Sequence, residues 1–143
     1  MTTGIRPLEI YRRFQSLLLN GQFTQLGEVV DMDGYTENCV GLTGWTTGLT
    51  TALQNYQAKV ASALSGMTAT EKDIIEGTDT LVIRSIVTAV HSGEFIGIPA
   101  TGRKVSYDAV DMLRIAGGKI VWRFLICDWK GVIDQLTGPA EGS

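Results

Sequence analysis

The sequence predicts an α+β domain with a curved, largely antiparallel sheet that wraps around N-terminal helices. Apolar residues recur at helical spacing in the first half of the chain, whereas the second half alternates with a period of two. Short turns containing glycine join the later strands into hairpins. Helices gathered early and hairpin strands gathered late are typical of this class. We therefore expect the element order ααβαββββ, followed by a short C-terminal helix.

The helical half follows from apolar stripes and the residues that interrupt them. The first stripe runs from Ile5 to Leu18 and ends before Gly21, a residue that often follows a helix end. Asp33-Gly34 interrupts the next stripe. In chain order we predict a helix at 5–20, a shorter helix at 23–30, a strand at 35–40, a loop at 41–48 and a helix at 49–64.

The strand half follows from alternation and from two turn signals. Gly77-Thr78-Asp79 and Ala116-Gly117-Gly118 each lie between β-branched or alternating segments, as hairpin turns do. The glycines at 92–102 match neither common phosphate-binding motif, so we interpret that segment as a shaped connection. In chain order we predict strands at 68–76, 80–91, 103–115 and 119–128, then a helix at 129–136.

Composition excludes several classes of protein. The chain has 143 residues, which suits one domain at 1–143 with a loose tail at about 137–143. Its net charge is −3 and no basic stripe exists, so we expect no nucleic-acid partner. No apolar run approaches the roughly 18 residues of a membrane span. The first residues lack the apolar stretch of a signal peptide, so we expect a cytoplasmic protein.

Cysteine and histidine are too few to form common metal sites. Cys39 and Cys127 form no Cys-x-x-Cys pair, and we expect free thiols in the interior rather than a disulfide. His91 is the one histidine, which excludes a site built on several histidines. No carboxylate spacing indicates a metal either. We therefore predict no metal ligands.

Alternation along the last strand draws attention to Asp128. If the period of two continues unbroken, Asp128 shares a face with the large apolar side chains at 120, 122, 124 and 126. A poorly solvated carboxylate has a raised pKa and suits general acid–base chemistry. The alternative is that Asp128 caps the helix beginning at Trp129, a common role of aspartate.

Two further polar residues end or interrupt apolar rows. His91 closes the inward row of its strand, either as a site residue or as a core histidine bonded to backbone. Asp111 lies on an apolar row of the neighbouring strand, where it either pairs with a donor for structural reasons or couples to Asp128. All three, His91, Asp111 and Asp128, are our candidate catalytic residues.

Aromatic side chains could line a pocket for a flat ligand, although each of them alone could be plain core. The candidates for ligand contact, which include one amide, are Phe14, Tyr35, Asn38, Trp45, Tyr107, Trp122 and Phe124.

The segment HSGEFIGIPATGRKV at 91–105, followed by YDAVDMLRIAGGKIVWRF, resembles the SnoaL-like polyketide cyclases. The early segment YRRFQSLLLNGQF and the short strand at Tyr35-Thr36-Glu37-Asn38 agree with the first helix and strand of that family. The turn GGKIV is shared more widely across the nuclear transport factor 2-like superfamily. The resemblance covers nearly the whole chain.

The resemblance implies a cone-shaped barrel with a deep pocket between sheet and helices. It implies an intramolecular aldol condensation that closes a ring of an aromatic polyketide, without metal or organic cofactor. The family's acid–base aspartate matches Asp128, and Asn38 falls where many members carry histidine. Homo-oligomers formed through the outer face of the sheet, as dimers or tetramers, are also implied. The resemblance thus predicts a small-molecule enzyme with an apolar or aromatic substrate.

Three functions remain open from sequence. The first is a cofactor-independent cyclase. The second is another acid–base reaction in the same pocket, such as isomerisation, dehydration or hydroxylation, in which Asp111 would matter at least as much as Asp128. The third is a non-catalytic module that binds a small apolar ligand.

Overall fold

The computed structural model describes residues 5–139. Three α-helices and six strands form the framework, and two short helices of other types complete it. In chain order the elements are α1 (Pro7–Leu19), a 3₁₀ helix (Phe23–Glu28), β1 (Thr36–Cys39), β2 (Gly44–Thr47), α2 (Leu49–Tyr56), a π-helical turn (Gln57–Ala61), β3 (Leu64–Glu76), β4 (Thr80–His91), β5 (Lys104–Ala116), β6 (Lys119–Cys127) and α3 (Trp129–Thr137).

The six strands form one curved open sheet in the order β2-β1-β6-β5-β4-β3. The pair of β1 and β6 is parallel, and every other pair is antiparallel. Helix α1 packs across the inner face against β3, β4 and β6. The predicted α+β class, with a mostly antiparallel sheet around N-terminal helices, is confirmed.

Several predicted elements differ in type or extent. The second helix is a 3₁₀ helix, and the third ends at Tyr56 before a π-helical turn. Strand β2 was missed because its four residues lie among glycines with positive φ, Gly41 and Gly44, which favour a loop assignment. Of the expected loose tail, residues 140–143 lie outside the described residues, whereas Thr137 belongs to α3.

A bulge in the β5–β6 pair decides which side chains of β6 face the core. Arg114 lies opposite Trp122, and the next residue, Ile115, lies opposite Ile120, so Val121 has no partner. An unpaired residue shifts the alternation by one position. Ile120 is inside before the bulge, and Arg123 is inside after it. The even-numbered residues beyond Val121 therefore lie on the outer face, contrary to the prediction from unbroken alternation.

The connection at 92–102, together with Arg103 directly after it, packs against and hydrogen-bonds to α3. We call these residues the clasp. The Thr101 N–H donates to His91 Nδ1 over 3.1 Å, and the Phe95 ring packs edge-on against Trp129 at a centroid distance of 5.3 Å. Arg103 Nη1 donates to the carbonyl oxygens of Gln135 and Gly138 at the end of the helix, over 2.9 and 2.8 Å. The segment therefore fixes the first and last turns of α3.

Candidate active site

A pocket opens between the helices and the inner face of the sheet. The empty space within its bounds is about 830 Å³ when open solvent is included, and the centre of a water molecule can occupy only about 80 Å³ of it. The wall is mostly apolar, and it includes Leu18, Leu49, Leu53, Val60, Met67 and Leu125. Concave, largely apolar pockets with a few polar groups are typical small-molecule sites.

One end of the pocket is lined by Tyr35, Glu37, Asp111 and Arg123, which we name the charged end. Asp111 lies on β5 and is 4% exposed, and Arg123 lies on β6 and is 8% exposed. Arg123 Nε donates to Asp111 Oδ1 over 2.7 Å, and the hydroxyl of buried Tyr11 donates to Asp111 Oδ2 over 3.0 Å. Both oxygens of Asp111 are thus occupied, so it holds Arg123 in place.

Glu37 lies on the other side of Arg123. The Tyr35 hydroxyl donates to Glu37 Oε1 over 2.5 Å, and Arg123 Nη1 stands 3.7 Å from the same oxygen. Among residues 5–139, Glu37 Oε2 accepts no side-chain or backbone hydrogen bond. This oxygen is not sealed within the protein, and Glu37 is one of the residues that line the pocket. Glu37 therefore presents a free oxygen to a ligand.

Arg123 keeps unused hydrogen-bond donors. Burial lowers the pKa of Arg123, but the nearby Asp111, Tyr35 and Glu37 raise it by more, so its pKa lies well above the usual value and the guanidinium stays charged. Its Cζ lies 5.1 Å from the centre of the Phe14 ring. Within the described part of the chain, its terminal N–H groups have no hydrogen-bond acceptor. A fixed cation with free N–H groups can hold a ligand oxygen that gains negative charge.

The opposite end contains uncharged groups, and we name it the neutral end: Cys39, Tyr56, Tyr107, Cys127 and Trp129. Burial raises the pKa of Cys39 to about 11, and it also raises the pKa of Tyr107 and of Cys127 above their usual values. Both cysteines are free thiols, as predicted. At neutral pH this end therefore carries no charge.

Four of the residues predicted as candidate site residues line the pocket. Asp111 and Tyr35 belong to the charged end, Tyr107 belongs to the neutral end, and Phe14 of α1 lies beside Arg123. The remaining candidates, six in number, lie elsewhere.

The predicted placement of Asp128 in the pocket is wrong. Asp128 is exposed, and its Oδ1 accepts the Gly131 N–H over 2.9 Å at the start of α3. The structure thus shows the capping role, the alternative that the sequence left open. The bulge at Val121 explains the error, since it turns this row of β6 outward. Asp128 and Asp111 consequently lie on opposite faces of the sheet.

His91 is a core residue rather than a pocket residue. It is 0% exposed, and its Nδ1 accepts the Thr101 N–H. Its Nε2 is buried and has no hydrogen-bond partner among residues 5–139. The prediction that His91 contacts a ligand is therefore wrong for this pocket, and its role is to close the clasp.

Three aromatic candidates form a cluster on the outer face, where the bulge places them. The Trp122 and Phe124 rings stack at an interplanar angle of 8°, and Trp45 of β2 lies 5.9 Å from each. Asn38 pairs with Trp45 and Phe124 in the sheet and shares their face. The prediction that these four residues bind the ligand in the pocket is wrong.

Glu37 is not among the candidate residues predicted from sequence, and unbroken alternation along β6 would place Arg123 on the face opposite to Asp128. The signal for Glu37 was present, because Tyr35, Glu37 and Cys39 alternate with Thr36 and Asn38. A carboxylate on a row with tyrosine and cysteine has the same pattern that drew attention to Asp111. Arg123 could not be placed, since nothing in the sequence marks the bulge.

Neither a metal cluster nor a membrane-spanning helix occurs in the described part of the chain. Among those residues, no group of three or more His, Cys, Asp and Glu side chains could hold a metal ion. No helix between residues 5 and 139 combines the length and the apolar character needed to cross a bilayer.

Solved structures with the same fold extend over nearly the whole chain. A candidate SnoaL-like polyketide cyclase from Jannaschia sp. CCS1 superposes with a TM-score of 0.84 at 16% identity, covering 98% of this chain and 99% of the other. IdmH, a candidate polyketide cyclase from Streptomyces antibioticus, gives a TM-score of 0.82 at 24% identity, covering 94% and 100%. AclR, a candidate hydroxylase from Streptomyces galilaeus, gives 0.69 at 18%, covering 91% and 84%.

These likenesses show that the chain shares the fold of the three solved structures. No curated protein matches the sequence. The family model for SnoaL-like polyketide cyclases matches residues 8–136, most of the chain, and confirms the resemblance found in its motifs. The chain belongs to the SnoaL-like polyketide cyclase family.

Proposed function

We propose that this protein catalyses a cofactor-independent, aldol-type ring closure on a flat, largely apolar small molecule. One observation carries the proposal: at the charged end, a buried guanidinium with free N–H groups lies beside a carboxylate with a free oxygen, at the end of an apolar pocket. Family membership and the polyketide-cyclase description of IdmH support it.

Glu37 takes the role that sequence reasoning gave to Asp128. Its Oε2 removes a proton from an acidic carbon flanked by carbonyls, and the terminal N–H groups of Arg123 hold the enolate oxygen that forms. The enolate carbon then attacks a second carbonyl of the same molecule, which makes the new carbon–carbon bond. The resulting alkoxide takes back the proton from Glu37. Atoms and charges balance without a cofactor.

Asp111 acts in this mechanism by positioning Arg123. Its carboxylate accepts from Arg123 Nε through one oxygen and from the Tyr11 hydroxyl through the other, and these contacts hold it against Arg123. The apolar wall and the Phe14 ring would exclude water and order the folded conformer of the ligand, which lowers the entropic part of the barrier.

The two free thiols in the pocket favour a reducing compartment such as the cytoplasm. The outer aromatic cluster favours association of two copies through the sheet.

Deuterium exchange tests the proton transfer without knowledge of the natural substrate. We would follow the acidic carbon of aromatic β-ketoester probes that also carry a second ketone within reach of that carbon, in D₂O by NMR, with wild type, Glu37→Gln and Asp128→Asn. Wild type should accelerate exchange, Glu37→Gln should exchange at least about 100-fold more slowly than wild type, and Asp128→Asn should match wild type.

Equal exchange rates for Glu37→Gln and wild type would remove Glu37 as the base. Exchange without ring closure would favour another acid–base reaction in the same pocket, and no acceleration would favour a binding module.

A further inference from the structure

The neutral end holds a hydrogen-bond donor that no residue among 5–139 uses. Tyr107 is 6% exposed and lines the pocket. Its hydroxyl has no hydrogen-bond partner in that range and is not sealed within the protein, so it reaches the open space of the cavity. A buried tyrosine hydroxyl normally finds a partner.

The Tyr107 ring is held firmly. Its centroid lies 5.3 Å from that of Trp129, and the Trp129 Nε1–H donates to the Val40 carbonyl oxygen over 3.2 Å. Phe95 of the clasp packs on Trp129 from another direction. The position of the hydroxyl is therefore set before a ligand arrives, which favours specific recognition.

Between the charged end and the neutral end, the pocket is lined by apolar side chains of β5 and β6. Tyr107 and Asp111 are four residues apart on the inner row of β5, which corresponds to about 13 Å at the usual rise of a strand. Ala109 lies between them and is small enough to leave room for a ring. Leu125 of β6 also lines this middle section.

We propose that Tyr107 is a specificity-determining residue whose hydroxyl donates to an oxygen of the ligand at the neutral end. This inference rests on the proposed function, since the charged end must hold the other oxygen. The ligand class is then a molecule long enough to reach both ends of the pocket, with an oxygen at each end. A molecule with one oxygen would engage only one end of the pocket.

The neutral state of this end supports a donor role rather than an acid–base role. Burial, with the neighbouring Cys127, Cys39 and Tyr56, raises the pKa of Tyr107 above its usual value. The hydroxyl consequently keeps its proton throughout the neutral range. It can orient a carbonyl or phenol oxygen without taking part in proton transfer.

Binding of two probes tests the assignment by calorimetry. The probes are 2,6-dihydroxyanthraquinone, with a hydroxyl at each end, and 2-hydroxyanthraquinone, with one. Wild type should bind the first about three- to tenfold more tightly, the range expected for one neutral hydrogen bond. Tyr107→Phe should bind both probes equally and keep the wild-type affinity for the second. Its Tm should be equal to or above that of wild type, because the lost hydroxyl has no partner among residues 5–139.

Tyr56→Phe is the matched variant, since Tyr56 also lines the neutral end. It should keep the preference for the two-ended probe. Loss of the preference in Tyr56→Phe alone would overturn the assignment to Tyr107. Equal binding of the probes by wild type, or no binding of either, would overturn the ligand class. These measurements need no turnover, so the two proposals fail separately: an unchanged exchange rate in Glu37→Gln would refute Glu37 as the base, whereas loss of the probe preference would refute the assignment to Tyr107.

Discussion

Arg123 Nε donates to Asp111 Oδ1 over 2.7 Å, and this pair joins the last two strands of the sheet inside the pocket. Each residue of this pair depends on the other. Asp111 supplies the charge that allows a guanidinium to stay buried, and Arg123 supplies the donor that occupies one oxygen of Asp111. Since the pair lies at the charged end, it links the stability of the sheet to the electrostatics of the site.

Removing one partner of this pair should destabilise the protein strongly. Arg123→Met leaves the buried Asp111 carboxylate without its cation, and we expect the free energy of unfolding to fall by about 3–5 kcal/mol. The double variant Arg123→Met/Asp111→Leu should lose less than the sum of the single variants, because it leaves no unpaired charge at that position. Urea denaturation measures all four proteins.

Arg84→Met provides the comparison for this prediction. Arg84 also bridges two carboxylates, Asp73 and Asp108, but on the exposed face of the sheet. Its loss should have a far smaller effect than that of Arg123. Strict additivity in the double variant would show that Asp111 and Arg123 contribute independently, contrary to the mutual dependence that their contact implies.

Asp128 should matter for stability and not for catalysis. Asp128→Ala removes the oxygen that accepts the Gly131 N–H, and loss of such a cap lowers the free energy of unfolding by about 1 kcal/mol. Asp128→Asn keeps an acceptor at the same position and should stay near wild type. Thermal melting checks the first effect, and the deuterium-exchange assay checks that both variants retain activity. A large activity loss in Asp128→Asn with unchanged melting would restore this residue to the mechanism.

The strands β5 and β6 could be predicted from sequence, whereas the bulge at Val121 within their pair could not. The strand boundaries on both sides of Ala116-Gly117-Gly118 followed from local signals, because hairpin turns and alternation depend on neighbours in sequence. A bulge depends on how two strands twist against each other, and a valine at position 121 does not indicate one. The inversion it produces moved Asp128 and Trp122 out of the site and brought Arg123 into it.

At the charged end, too, one residue could be predicted from sequence and its contacts could not. Asp111 was recognised because a carboxylate on an apolar row is visible in sequence. Its partners Tyr11 and Arg123 come from α1 and β6, and their convergence is a property of the packed fold. Glu37 was accessible to the same reasoning as Asp111, since its strand alternates cleanly.

The outer aromatic cluster should form the contact between two copies of the chain. Trp45 is 56% exposed and Ile126 is 48% exposed, and they border the stacked rings of Trp122 and Phe124. Trp122→Glu introduces a charge into this face and should convert the protein to a monomer in light-scattering measurements at micromolar concentration.

Ile75→Glu is the control for the association experiment. Ile75 is 70% exposed, but it lies on β3 at the opposite edge of the sheet from β2. This variant should keep the mass of the wild type. A monomeric wild-type protein, or a Trp122→Glu variant that stays associated, would count against the outer face as the contact.

The buried thiols should make the protein less stable in alkaline solution. Burial raises the pKa of Cys39 from its usual value of 9.0 to about 11. The unfolded state therefore releases its proton first as the pH rises, and it binds fewer protons than the native state above about pH 9. The contribution of the Cys39 thiol to the free energy of unfolding is therefore complete below that pH, and it falls as the pH rises to about 11.

At about 1.4 kcal/mol for each pH unit, the loss from Cys39 across this window is about 3 kcal/mol. Burial raises the pKa values of Cys127 and Tyr107 in the same direction, so they add to it. Urea denaturation between pH 8 and pH 11 should show a falling free energy of unfolding, with a shallower slope in Cys39→Ala. A slope that Cys39→Ala leaves unchanged would mean that this thiol already ionises in the folded pocket, and that the neutral end carries charge in mildly alkaline solution.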